Sequence, residues 1–142
     1  MTEYLDTDTH GPLQETSKTL AAVARGDREP DVIIRNGNLV NVHTGEIMPG
    51  TDLVISEGRI VRMTETGAVD AGEATEVIDA DGQYLSPGFL DTHVHYESSM
   101  VTATGFCRGV LPTGTTGAFM DPHEIGNVLG LDGIRLLLDE AT

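Results

Sequence analysis

The run Pro87-Gly88-Phe89-Leu90-Asp91-Thr92-His93-Val94-His95 constrains this chain more than any other stretch. It reads as an apolar strand that ends in two histidines two residues apart. A strand sends alternate side chains to opposite faces, so Asp91, His93 and His95 share one face. Two imidazoles side by side at a strand end make half of a metal site, and a metal there activates water at neutral pH. Taken alone, the pattern is more often a pair of solvated loop histidines. Its surroundings reverse that reading.

The chain changes grammar at Pro87. Before it, Val32 to Arg35 leads through Asn36-Gly37 to residues 38–42, Asp52 to Ile55 turns at Glu57-Gly58 into Arg59 to Arg62, and Glu76 to Asp79 turns at Asp81-Gly82 into Gln83 to Leu85. Asn-Gly and its relatives are strong hairpin signals, because their turn positions need positive φ. Residues 31–85 are therefore expected to form a small antiparallel β module, with a Gly- and Ala-rich acidic loop over 66–75. A helix over 15–25 precedes it, capped by Thr16 or Ser17, with Leu20, Val23 and Ala24 as its apolar face and Gly26 as its stop. Residues 1–14 read as a disordered polar tail.

After Pro87 the pattern is strand, helix, strand, helix. Phe89 to His95 is the first strand, residues 104–111 a short helix closed by Pro112 and Gly114, and Thr115 to Asp121 the second strand. A final helix carries Ile134, Leu137, Leu138 and Ala141 on one face. Alternating strands and helices imply βαβ units and a parallel sheet. Two such units do not close a barrel, which takes eight strands and about 250 residues. The expected segments are thus 1–28, tail and helix; 29–86, the β module; and 87–142, the start of an α/β barrel. Uncovered strand edges and an apolar last helix predict self-association of such a chain.

Both parallel strands end in metal-capable groups, the second in Asp121-Pro122-His123-Glu124. In parallel α/β folds the active site lies at the carboxyl ends of the strands. Two consecutive strands ending in this way make a functional site the better reading. Alternatives remain for single residues. Asp91 either ligates directly or bonds a ligand imidazole or backbone amides. His123 is a ligand or a loop-stiffening residue. Glu124 is a site residue or an acid favoured at a helix start. Ser98, Ser99 and Thr102 bind substrate, orient ligands or cap the next helix. His43 reads as a solvated turn residue.

Composition excludes several classes. The 142 residues carry 23 acidic and 8 basic side chains, a net charge of −15, with Lys18 the only lysine. Nothing here replaces counterions on phosphates, so nucleic acid is excluded as a partner, and an acidic membrane would be repelled. The spread of acids, with arginine nearly replacing lysine, resembles proteins of salt-loving organisms. No apolar run reaches the length of a membrane span and the N-terminus lacks a signal peptide, so a cytoplasmic location is expected. Cys107, the only cysteine, excludes intrachain disulfides and Cys-rich zinc sites. Its apolar helical neighbours Phe106 and Val110 mark it as a small buried hydrophobe.

A β module followed by SPGFLDTHVH resembles the entry into the amidohydrolase superfamily, which pairs a β-sandwich with a metal-dependent (β/α)8 barrel. HVHYESSM and VLPTGTTGAFMDPHEIGNVLGLDGIRLLLDEA are similar to the adenine deaminase family, as is VARGDREPDVIIRNGNLVNVHTGEI; the likeness covers about residues 20–142. It implies a β-sandwich module leading into the first two βα units of an incomplete barrel. It also implies hydrolytic deamination of adenine to hypoxanthine and ammonia, with two divalent metals, Mn2+ or Fe2+, in the complete protein. His93 and His95 match the family's first-strand metal pair. His123 is carried over as a further metal residue, and Glu97, Asp121 and Glu124 as catalytic groups at the same mouth. Later strands supply the remaining ligands, so the chain by itself is expected to be inactive, a fragment or one half of a split protein, while the complete protein is a homo-oligomer. A cytidine-deaminase reading fails, since His95-Tyr96-Glu97 has no paired cysteines to join it. A dihydroorotase-like relative acting on a cyclic amide carries arginine where Glu97 stands. Glu97 suits a neutral purine better than an acidic substrate.

Overall fold

The computed structural model describes residues 13–141. Of the tail expected over residues 1–14, residues 1–12 lie outside the described residues, whereas Leu13 and Gln14 form the start of the first helix. The described chain falls into two compact units that divide between Pro87 and Gly88.

In the first unit, α1 (Leu13–Arg25) packs on β2 and β3 through Thr16 and Val23. Thr16 is not the cap expected of it. It lies inside the helix, buried, with its hydroxyl on the Leu13 carbonyl. The stop at Gly26 is as expected: Gly26 N–H bonds Val23 O and Asp27 N–H bonds Ala22 O, the paired bonds of a left-handed glycine cap. Strands β1 (Val32–Asn41), β2 (Glu46–Ser56) and β3 (Arg59–Glu65) form an antiparallel meander. The turn at Glu57-Gly58 has both residues at positive φ, as a two-residue hairpin requires.

The other two hairpin expectations fail. β1 runs straight through Asn36-Gly37, where Asn36 (φ 57°) makes a bulge, and the reversal comes later, over residues 42–45. Likewise Asp81-Gly82 does not fold β4 (Glu76–Asp79) back on β5 (Tyr84–Leu85); both pair with β1, in parallel. The two irregularities face each other: Gly82 N–H bonds Asn36 O, and Asn38 N–H bonds Gln83 O. Positive φ supports a bulge as readily as a turn, and a facing bulge in the neighbouring strand keeps the pairing going beyond it. The sheet is therefore mixed, in order β3-β2-β1-β4 with β5 also on β1. Its core holds Ile33, Leu39, Leu53 and Val54.

Asp52 is the unexpected member of that core. It is 0% exposed. Its carboxylate accepts the N–H of Asn36 in the β1 bulge (2.9 Å) and the N–H of Gly67 in the turn after β3 (3.0 Å). Burial raises its pKa, but these bonds, with Thr66 and the Arg35 guanidinium, outweigh burial and hold it below the usual value of 3.8.

In the second unit, β6 (Phe89–Val94) and β7 (Thr115–Met120) are parallel neighbours. Between them lie a 3-10 turn (Tyr96–Ser99), α2 (Ala103–Val110) and a second 3-10 turn at Leu111–Thr113. Thr102 caps α2 by accepting the Gly105 N–H (3.1 Å), and Gly114 (φ 95°) closes the second turn. Instead of one final helix there are two, α3 (His123–Leu129) and α4 (Leu131–Ala141), separated at Gly130. Tyr96 is 1% exposed and packs on Phe106. Cys107 is exposed rather than buried. It lines an open cleft of about 390 Å3 between α2, β7 and the end of α4, because Ala103 and Phe106 take the inward positions.

Three outcomes are expected. Asp52→Ala leaves two part-buried N–H groups without their carboxylate and lowers stability by about 1–3 kcal/mol in urea unfolding. Because the folded pKa is depressed, Asp52's contribution is complete above the unfolded carboxylate value. It is lost as pH falls below about 3.9, so the wild-type advantage over Asp52→Ala disappears in acid. Phe89 and Phe119, each 65% exposed, make self-association of the isolated chain the expected result of light scattering.

Candidate metal centre

Parallel pairing places the carboxyl ends of β6 and β7 side by side. Val94 is opposite Met120, and the Asp121 N–H bonds the Val94 carbonyl (3.0 Å). The next residues on each strand are His95 and Asp121. Ligand atoms of His93, His95 and Asp121 lie within 4.8 Å of one another.

The hydrogen bonds set the chemistry of this cluster. His95 Nδ1 is 2.8 Å from the Asp121 backbone carbonyl, which can only accept, so Nδ1 carries the proton. In the neutral ring the lone pair is then on Nε2. A ligating histidine is oriented in the same way, by a bond from its other nitrogen. His93 Nε2 lies 2.9 Å from His95 Nε2. Two nitrogens bound to one metal at about 2.1 Å and a right angle are about 3 Å apart. Two imidazoles and a carboxylate thus fit a divalent cation in donor type and spacing.

His123 joins from the first turn of α3. Its Nδ1 is 3.3 Å from Asp121 Oδ2, and its ring meets that of His95 edge-on at 4.5 Å. Slight desolvation raises the Asp121 pKa, but the hydrogen bonds from His123, and the charges of the His123 and His95 rings where they are protonated, more than offset it and lower it below the usual value. Asp91 points to the backbone instead: its carboxylate accepts the His93 N–H (3.1 Å). Glu97 sits in the 3-10 turn with both carboxylate oxygens shut off from solvent and no hydrogen-bond partner among the described residues. Tyr96 beside it is pushed up to about 12, by burial first and then by the negative charges of Glu140 and Glu97. Glu124 accepts a bond from Ser98. His43 is exposed in the first unit, as expected. Two links were not foreseen in the sequence, the His95–Asp121 carbonyl bond and the His123–Asp121 pair. Both follow from strand register, which the chain order does not reveal.

No family model matches the chain. It is 56% identical over 132 residues to the adenine deaminase of Moorella thermoacetica, covering 93% of this chain and 22% of that protein. The adenine deaminases of Mesorhizobium japonicum and Rubrobacter xylanophilus are each 52% identical over 130 residues, 92% of this chain and 22% of theirs. Over this span the chain is a homologue of adenine deaminases. It covers about a fifth of these relatives' length. Among solved structures, molinate hydrolase aligns with a TM-score of 0.56 at 19% identity, over 77% of this chain and 26% of that one. An amidohydrolase aligns with a TM-score of 0.52 at 19% identity, over 71% and 28%. These likenesses show an amidohydrolase-type mixed α/β fold. Among the described residues, no helix is long and apolar enough to cross a membrane.

The donor geometry predicts that the chain binds one Mn2+ or Co2+. His95→Ala should weaken binding at least about tenfold in calorimetry, whereas His43→Ala should not. Equal affinities for the two variants would remove His95 from the site.

Proposed function

We propose that this chain carries the first-strand part of the active site of an adenine deaminase, which hydrolyses adenine to hypoxanthine and ammonia. The observation that carries the reading is the convergence of His93, His95 and Asp121 at paired strand ends, in a sequence 56% identical to a named adenine deaminase. In the complete protein, β1 to β5 would belong to the β-sandwich, and β6 to α4 would be the first two βα units of a (β/α)8 barrel. A cytoplasmic homo-oligomer goes with this reading.

His93 and His95 would hold the divalent metal, Mn2+ or Fe2+, with Asp121 beside them as an ionised carboxylate. His123 would keep that carboxylate in place. When bound, the metal would supply activation of water and stabilisation of negative charge as the purine is attacked. Glu97 is the candidate proton acceptor. Among the described residues its two oxygens have no hydrogen-bond partner, so they are free to accept one. Glu124 would line the mouth. The product ammonia leaves with protons that come from water and from such a group.

One observation favours a second reading, in which the chain works only against another polypeptide: Phe89, Leu90 and Phe119 are largely uncovered. Ammonia release from adenine tests the first reading. The 142-residue chain alone with Mn2+ should be inactive. The same chain joined to the remaining length of the Moorella thermoacetica relative should deaminate adenine, and His93→Ala in that fusion should cut turnover at least about a hundredfold. A folded, metal-loaded fusion that spares adenine but opens a cyclic amide would replace adenine as the substrate.

A further inference from the structure

We propose that Ser98 and Glu124 form a positioning clasp that holds the two halves of the metal centre together. The inference rests on the metal reading above and assigns Glu124 a role through Ser98 rather than at the reacting atoms.

The need for a clasp follows from the strand ends. Pairing of β6 with β7 runs to Val94 and Met120, and the last bond of that ladder is Asp121 N–H to Val94 O. Beyond it the two chains part, one into the 3-10 turn Tyr96–Ser99 and the other into α3. Yet His95 and His123, whose rings meet at 4.5 Å, both lie past that last bond. Among the described residues, two side-chain bonds cross the gap at this point. One is His95 Nδ1 to the Asp121 carbonyl. The other is Ser98 Oγ donating to Glu124 Oε2 at 2.5 Å.

Ser98 is also tied to the site by its backbone. Its N–H bonds the His95 carbonyl (3.2 Å), so a shift of Ser98 moves His95. Glu124 adjoins His123, and the Gly126 N–H bonds the Pro122 carbonyl, holding that turn of α3. The clasp therefore brackets the metal-capable residues, three positions after His95 on one side and one after His123 on the other. Glu124 is not in the group of ligand atoms within 4.8 Å, which consists of His93, His95 and Asp121. With Oε2 committed to Ser98, it acts on the site by holding the loop.

The test uses the whole 142-residue chain and two readouts. One is Co2+ affinity with the visible absorption band of the bound ion. The other, with no metal added, is the nuclear Overhauser contact between the His95 and His123 rings, whose centroids are 4.5 Å apart. Ser98→Ala and Glu124→Ala should each weaken Co2+ about tenfold, as loss of a ligand-orienting partner does, alter the band and lose the ring contact. The double variant should be no worse than either single one. Ser98→Thr keeps the hydroxyl and Glu124→Gln keeps an acceptor oxygen, so both should restore affinity, band and ring contact. Rescue also separates the clasp from a general loss of folding. Wild-type behaviour of Ser98→Ala overturns the proposal. So does a Glu124→Gln variant as damaged as Glu124→Ala beside an intact Ser98→Ala, which would make Glu124 a ligand. If wild type shows no Co2+ band, the metal reading fails, and with it the clasp's role at a metal; the ring contact then tells only whether Ser98 and Glu124 hold the loops.

Discussion

Parallel pairing of β6 with β7 is the constraint on which the site depends. In parallel strands the carboxyl ends point the same way, so residues just past each end become neighbours although 26 positions separate His95 from Asp121. An antiparallel arrangement of the same two segments would put His95 and Asp121 at opposite ends of the sheet. The ladder does more than bring them near. Its last bond sets the Asp121 carbonyl against the His95 ring, and that contact selects which ring nitrogen keeps its lone pair.

The same logic, a backbone group selecting the state of a side chain, governs the first unit in reverse. There a side chain organises the backbone. Asp52 stands inside an apolar strand and is tolerated because two N–H groups aim at it, one from the β1 bulge and one from the turn after β3. Those two bonds offset the cost of burying the charge. The β1 bulge is in turn matched by the irregularity at Asp81-Gly82, so β4 and β5 run alongside β1 as one interrupted strand.

Much was legible from the chain alone. The α1 stop at Gly26, the Glu57-Gly58 hairpin, β6, α2 and β7 are all written in short-range signals, namely periodicity, capping and positive-φ residues. His93 and His95 were legible for the same reason, since strand alternation puts them on one face. Elsewhere short-range signals misled. Asn36-Gly37 and Asp81-Gly82 have hairpin composition, but composition reports only that positive φ is available, and the partner strand decides whether it becomes a turn or a bulge. Cys107 fits an apolar helical pattern, but Ala103 and Phe106 take the inward positions.

By itself, the sequence determined that His93 and His95 share one face at a strand end and that a second strand ends at Asp121, because alternation and helix stops are properties of neighbouring residues. Tertiary structure alone decided that Asp121 rather than Asp91 lies beside the two histidines, that His123 lies within 3.3 Å of Asp121, that Ser98 reaches Glu124, and that Asp52 is buried. Each of these depends on the register between segments far apart in the chain. Register is set by the sum of pairing and packing across the whole unit, and no local run of residues encodes that sum.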